Sequence, residues 1–198
     1  MKTGLMQATA VTALSVAVAT LALSAEPASM AVRGLYLAAP KPNEIPLAVS
    51  FIREALPKET VNVLVMEFDY RYSYVSHPEV VDADALSKAD VKAIVAACHG
   101  AGVRLIPLIN LLGHQSWEAK TFGLLRAHPE FDETPKKYPN NQGIYCRSYC
   151  PLSPDLHQVV FALTDELAEA CEADAVHVGM DEVFILADPD CPRCGTRN

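Results

Sequence analysis

Four short runs rich in β-branched and aliphatic residues, Val32–Leu37, Val61–Phe68, Val103–Ile109 and Ala175–Val178, alternate with longer stretches whose apolar residues recur at helical spacing. A helix between two strands carries the chain back along the sheet, so this alternation predicts βα units and a parallel sheet. Asn43–Leu56 reads as one helix, with Pro46 tolerated in its first turn. Ser87 followed by Asp90 resembles a capping box, and Gly100 and Gly102 close the helix that follows. Ser153-Pro154-Asp155 supplies a cap residue, a proline for the first helical position and an acid, launching a helix that runs to about Glu172. The long connection Leu111–Leu152 contains Pro129, Pro135, Pro139 and Pro151, with a short helix expected near Trp117–Ala127. Long loops after strands are where function concentrates.

Four such units occupy most of the 198 residues, whereas an eight-unit barrel typically needs ~250. The chain therefore reads either as an open four-stranded α/β domain or as the first half of a longer barrel, and the motifs below favour the second. Residues 1–25 stand apart: Lys2 is their only charge, Ala8 to Leu23 is rich in Ala, Val and Leu, and small residues sit at Ala22, Ser24 and Ala25. This is the pattern of a secretory signal peptide, so export to the periplasm or outside the cell is expected. A linker over 26–31 would then lead into a domain over 32–198.

The remaining composition narrows the partners. With 16 Lys and Arg against 24 Asp and Glu, the formal net charge is −8 and no basic stretch follows the leader, which argues against nucleic acid. No apolar run past the leader reaches the length of a spanning helix, so no membrane association is expected of the mature form. Among six cysteines, Cys98 and Cys171 fall in helical patterns and read as buried thiols. Cys146/Cys150 and Cys191/Cys194 are close pairs suited to an exported chain. A loop staple is the favoured reading for Cys191-Pro192-Arg193-Cys194, over half of a zinc site, so no metal or cofactor is expected.

The residues that can carry chemistry gather at two strand ends. His177-Val178-Gly179-Met180-Asp181-Glu182 lies at the C-terminal end of the fourth run, the end that carries the site in parallel α/β folds. Two adjacent carboxylates beside a histidine and a glycine supply acid, base and close backbone approach for a polar substrate. Both acids can face one pocket only if the strand ends and turns there. Ile106-Pro107-Leu108-Ile109-Asn110-Leu111-Leu112-Gly113-His114 brings a second imidazole to the same rim. Arg33-Gly34 opens the first strand, and an arginine entering a barrel needs a charged or polyhydroxyl partner to offset its desolvation.

These residues resemble the catalytic domain of glycoside hydrolase family 20, the β-N-acetylhexosaminidases. That family's fourth-strand signature H-x-G-G-D-E is matched by His177 through Glu182, except that Met180 replaces the second glycine. Its third-strand pattern I-P-E-x-D-x-P-G-H is matched at Ile106, Pro107, Gly113 and His114 and departs at Leu108, Asn110 and Leu112. Arg33-Gly34 matches the first strand and Asn62-Val63 the second. Met66-Glu67-Phe68-Asp69 then stands where the family reads W-H followed by paired Asp. The resemblance implies an α/β fold, a (β/α)8 TIM barrel of which about the first four units are present here, and N-acetylhexosamine-containing glycans as substrates.

It also implies a retaining hydrolysis assisted by the substrate's own 2-acetamido oxygen. Glu182 would be the general acid and base, Asp181 would orient the acetamido group, and His114 would tune Glu182, backed by Asp69. Arg33 would clamp ring hydroxyls, and His177 and Asp69 would contact the substrate. Trp117, Tyr70, Tyr72 and Tyr74 could stack on sugar faces, though for any one of them packing is the simpler explanation. Two other readings compete on the same residues. The departures at Met180, Leu108 and the second strand suit a non-catalytic carbohydrate-binding module, and His114, His177 and Asp181 suit a metal-dependent hydrolase.

Overall fold

A computed structural model describes residues 30–195; the leader assigned to residues 1–25 lies outside the described residues. The architecture belongs to the unit that begins at Val32. Strand β1 is Gly34–Ala38, followed by helix α1 over Ile45–Glu54, strand β2 over Val63–Glu67, helix α2 over Lys88–Ala101 and strand β3 over Arg104–Leu111. A two-stranded hairpin, β4 Ser116–Trp117 with β5 Lys120–Thr121, precedes the short helix α3 over Gly123–Ala127. Helix α4, Leu156–Ala170, leads to strand β6, His177–Gly179. The order in the main sheet is β1-β2-β3-β6, every pair parallel, so each new strand is added beside the last.

Local chemistry explains most element boundaries. The Ser87 hydroxyl accepts from the Asp90 amide at 3.2 Å while the Asp90 carboxylate accepts from the Ser87 amide at 2.9 Å, the expected reciprocal cap. At the other end of α2, Gly102 takes φ +66, and the Val103 amide reaches back to the Cys98 carbonyl at 2.9 Å. The start of α4 differs from expectation. The cap residue is Asp155 at φ +62, and the Ser153 hydroxyl turns away to the Phe131 carbonyl. The Leu156 amide bonds the Pro154 carbonyl, so the turn at Pro154-Asp155 tightens before the helix begins. Trp117 likewise sits on β4 rather than on a helix, because α3 starts only at Gly123. A Cβ on Gly123 would lie 2.0 Å from the Val80 carbonyl oxygen, so this helix entry requires glycine.

The period-two alternation of the strands separates two faces. Leu64 and Met66 of β2 and Leu105 and Ile109 of β3 point outward and join Ile52 of α1, Ile94 of α2 and Leu163 of α4 in one buried cluster. Removing such a side chain from water contributes about 1.5–3 kcal/mol each. The opposite face carries Tyr36, Glu67, Leu108, Asn110 and His177, which line a cavity of about 760 Å³. Tyr70, Tyr72 and Tyr74 are 2–3% exposed and belong to the core, and Tyr70 also lines the cavity. Among the described residues, no helix is long and apolar enough to cross a membrane.

Candidate active site

The C-terminal ends of β2, β3 and β6 converge on the cavity, and the loops leaving them depart sharply from extended backbone. Asp69, Leu112, His114, Gly179, Met180 and Glu182 all have positive φ, between 47° and 66°. Such turns let Asp181 and Glu182, which strand alternation would send to opposite faces, approach one imidazole. His114 Nε2 lies 3.6 Å from Asp181 Oδ2 and 3.5 Å from Glu182 Oε2. These are ion-pair distances, long for direct hydrogen bonds, and catalytic contacts commonly tighten when substrate binds.

Two glycines make the approach feasible. A Cβ on Gly179 would fall 2.4 Å from Asn110 Oδ1, and one on Gly113 would fall 3.2 Å from the Asp181 carbonyl oxygen. The third-strand and fourth-strand motifs therefore pack backbone to backbone. Met180, at φ +66, occupies a left-handed conformation that favours glycine, which explains the residue type of the family signature there. Leu112 also has φ +66, a value closed to proline, whose ring holds φ near −65°. The departure from the family proline at this position accompanies a loop conformation proline could not adopt.

Beside the His114 group the cavity wall is acidic. Asp69 Oδ1 accepts from the Asn110 amide at 2.7 Å and from Asn110 Nδ2 at 3.3 Å. The Asp69 carboxylate is held by Asn110, which stands in β3 where the family pattern has Asp, and it lines the same cavity as His114. Glu67, one turn of the pleat inward, has its carboxyl pushed up to about 7 from an ordinary 4.5. Burial is the main cause, followed by the negative charge of Asp69 and a hydrogen bond to it, with Asp181 adding to the same direction. A carboxyl that half-titrates near neutrality inside a cleft is a functional candidate, and period-two parity from Val63 and Val65 is the signal that points to it.

Aromatic groups complete the rim. Trp117 lines the cavity and is 49% exposed, within reach of a ligand. Its ring meets Tyr145 edge-on at 5.4 Å, and Tyr145 also meets His114 at 6.1 Å and Phe184 at 5.4 Å. A hydrogen bond to Glu182 raises the Tyr145 phenol above its ordinary value of 10.0. Sequence reading missed Tyr145, because it arrives from the long connection at no fixed spacing from the motifs. Gln115 is fully buried beneath this loop, where it accepts from the Tyr70 hydroxyl at 2.6 Å and donates to the Asn110 and Gly113 carbonyls.

His177 lines the same cavity, and its Nδ1 accepts from the Gly179 amide at 3.1 Å. The donor atoms of His114, Asp181 and Glu182 lie within 4.8 Å of one another, a set that His177 does not join. The trio His114, His177 and Asp181 proposed for a metal is therefore not the group assembled. Arg33 lies apart from this group. It precedes β1 at the N-terminal end of the sheet, where its Nε donates to the Thr60 carbonyl and its amide to Asn62 Oδ1, and it is not among the cavity-lining residues. A strand runs away from its first residue, so the sequence position alone sets Arg33 at the end opposite His114.

Comparison with known proteins agrees with this geometry. The profile for glycosyl hydrolase family 20, catalytic domain, matches residues 61–197. A β-hexosaminidase of Akkermansia muciniphila is 30% identical over 111 residues, which are 54% of this chain and 21% of that protein. The crystal structure of a chitobiase from Flavobacterium johnsoniae superposes with a TM-score of 0.63 at 24% identity, covering 77% of this chain and 24% of that one. A β-N-acetylhexosaminidase from Bacteroides fragilis gives 0.63 at 16% identity, over 84% and 34% respectively. The chain thus spans about a fifth to a third of the length of these relatives. The structural likeness establishes the fold, with the four parallel strands forming part of a TIM barrel. The matched profile, covering both strand-end motifs and the loops that bring them together, places this chain in glycosyl hydrolase family 20, within its catalytic domain.

Proposed function

We propose that the protein containing this chain hydrolyses terminal β-linked N-acetylhexosamine residues, with the substrate's 2-acetamido group as the nucleophile. The observation that carries this reading is the convergence of Asp181 and Glu182 on His114 at the C-terminal rim of a parallel sheet, beside a cavity wide enough for a sugar ring. Glu182 donates its proton to the glycosidic oxygen as the C1–O bond breaks, and the acetamido carbonyl oxygen closes on C1 to give an oxazolinium ion. Asp181, ionised, accepts a hydrogen bond from the acetamido N–H and offsets its developing positive charge. Water then loses a proton to Glu182 and attacks C1, reopening the ring with net retention.

His114, beside both acids, hydrogen-bonds and tunes Glu182. Trp117 offers a face for the sugar, and Asp69, His177 and Asn110 offer polar partners for its hydroxyls. The leader pattern in residues 1–25 supports export as the route to such glycans.

The test is an assay of the full-length protein on a chromogenic N-acetyl-β-glucosaminide and on the matching β-glucoside lacking the acetamido group. Turnover of the first alone supports acetamido assistance, and equal turnover of both refutes it. Turnover of neither, with sugar binding retained, assigns the site to a binding module. Glu182→Gln and Asp181→Asn should each lower kcat by at least about 100-fold on the first substrate, the usual scale of general acid–base and electrostatic assistance.

A further inference from the structure

Behind the catalytic loop lies a second cluster that the hydrolysis does not use. Glu133, Cys150, Cys191 and Cys194 come from three separate segments, yet one donor atom from each lies within 4.8 Å of all the others. Glu133 and Cys150 are fully buried, Cys191 is 2% and Cys194 9% exposed. Four ligands at the corners of a tetrahedron around zinc, with Zn–S near ~2.3 Å, stand about 3.8 Å apart, inside that limit. We propose that these four side chains form a closed structural zinc site that pins the segment following Asp181-Glu182 to the long connection after β3.

Three observations support it. First, the backbone around Cys191-Pro192-Arg193-Cys194-Gly195 is folded as a knuckle around the Cys191 sulfur. The Cys194 amide points at Cys191 Sγ at 3.5 Å, and the Gly195 amide bonds the Cys191 carbonyl at 3.1 Å. Gly195 is required there, since a Cβ would lie 2.4 Å from the Pro189 carbonyl oxygen and 2.8 Å from that of Asp188. Amides aimed at sulfur stabilise a thiolate, the form that binds metal.

Second, the carboxylate is only half satisfied. Glu133 Oε1 accepts from the Asp188 amide at 3.0 Å and from Cys194 Sγ at 2.8 Å, while Oε2 is buried with no hydrogen-bond partner. A buried carboxylate oxygen without a partner is costly, and a cation supplies what it lacks. Third, the cysteines are odd in number. One disulfide among Cys150, Cys191 and Cys194 leaves the third thiol buried against Glu133, whereas a tetrahedral cation uses all four groups. Cys146 is not part of the cluster: its Sγ faces the Glu182 carbonyl at 3.7 Å. The close sequence pair Cys146 and Cys150 is thus divided between two surroundings, and all six thiols are free.

The surroundings are those of a second coordination layer. The Arg193 guanidinium donates to the carbonyls of Glu130, Phe131 and Asp132, fastening the knuckle to the segment that carries Glu133. Lys137 bridges Asp188 at 3.0 Å and Asp190 at 2.8 Å, closing the same two segments from the solvent side. Loading is a proton exchange in which three thiols and Zn²⁺ give three Zn–S bonds and release three protons, with no change of oxidation state.

The inference is independent of the hydrolase reading, because its readout is metal content. Full-length protein purified under reducing conditions with zinc present, then dialysed, should hold one zinc per chain by plasma mass spectrometry. Replacement by Co²⁺ should give the intense visible and near-ultraviolet bands of tetrahedral cobalt thiolate. Cys191→Ser and Cys194→Ser should each lower bound zinc at least tenfold, while Cys146→Ser retains it. Should the serine variants fail to fold, thiol titration of the wild type decides: a zinc chelator should expose three more reactive thiols than are titrated without it. Protein with no bound zinc, or a Cys150–Cys191, Cys150–Cys194 or Cys191–Cys194 disulfide found by non-reducing peptide mapping of metal-free native protein, overturns the proposal.

Discussion

Glu67→Gln isolates the electrostatics of the cavity wall. The Glu67 carboxyl is held near 7 by burial and by Asp69 and Asp181, against an ordinary 4.5. Between those two pH values the folded protein keeps a proton that the unfolded chain has released, so its stability must fall as pH rises from about 4.5 to about 7 and level off above. At about 1.36 kcal/mol per pH unit, the separation would be worth about 3.4 kcal/mol for a group sealed from water. Glu67 is only half-buried, and solvent screening reduces this to about 1–2 kcal/mol.

Glutamine keeps the shape and cannot ionise. Urea denaturation of both proteins from pH 4 to 8 should show curves that nearly coincide at the acid end and diverge through neutrality. The variant should be more stable by about 1–2 kcal/mol at pH 8. Because the other titrating groups are common to both proteins, their difference reports the Glu67 charge together with its coupling to Asp69 and Asp181. A difference that stays constant with pH, or a variant less stable than the wild type at pH 8, would refute the argument that burial beside Asp69 and Asp181 raises this carboxyl.

Met180→Gly should relieve a left-handed backbone and raise stability by about 1 kcal/mol in the same denaturation assay, net of the entropy glycine returns to the unfolded chain. Gly179→Ala should do the reverse and lower turnover, because the new methyl meets Asn110 Oδ1; a crystal structure showing Asn110 unmoved would contradict this. Arg147 is buried with Asp132 as an ion pair and also donates to Asn141 and the Tyr138 carbonyl, so Arg147→Met should cost about 3–5 kcal/mol by stranding a buried carboxylate. That loss should appear as a lowered thermal midpoint. His114→Ala should reduce kcat on the N-acetyl-β-glucosaminide far more than KM, since it removes a group acting on the two acids rather than on the bound sugar.

The βα order was legible because it depends on patterns that act over a few residues. Apolar runs of strand length alternate with capped helices, and the Ser87/Asp90 box and the Gly102 terminus appear in the structure as the local rules require. Where expectation failed, a distant group had intervened. Ser153 would cap α4 if only its neighbours mattered, but the Phe131 carbonyl takes its hydroxyl. Trp117 has the spacing of a helix with Leu124 and Leu125, yet the Phe122 amide bonds the Gln115 carbonyl and folds the intervening residues into a hairpin. Arg33 shows a different dependence, since a motif aligned by residue type does not say which end of a strand it occupies.

The site was legible to the extent that its residues lie on strand ends. His114, Asp181 and Glu182 follow β3 and β6 within a few residues, and strand direction alone sends them to one rim. Their meeting depends on a run of left-handed residues, of which only Gly179 announces itself in the sequence; Leu112, Met180 and Glu182 do not. The backbone of this loop is therefore held against its own preference, at roughly 1 kcal/mol or more for each such residue, by contacts elsewhere. Those contacts are the close approach of Gly113 to the Asp181 carbonyl and the Tyr145 contacts with Glu182, His114 and Phe184. Further along the chain, the knuckle at Cys191–Cys194 is fastened to Glu133 and Cys150. A strained catalytic turn needs a fixed point on each side. β6 supplies one before Met180, and the cysteine–glutamate cluster supplies the other.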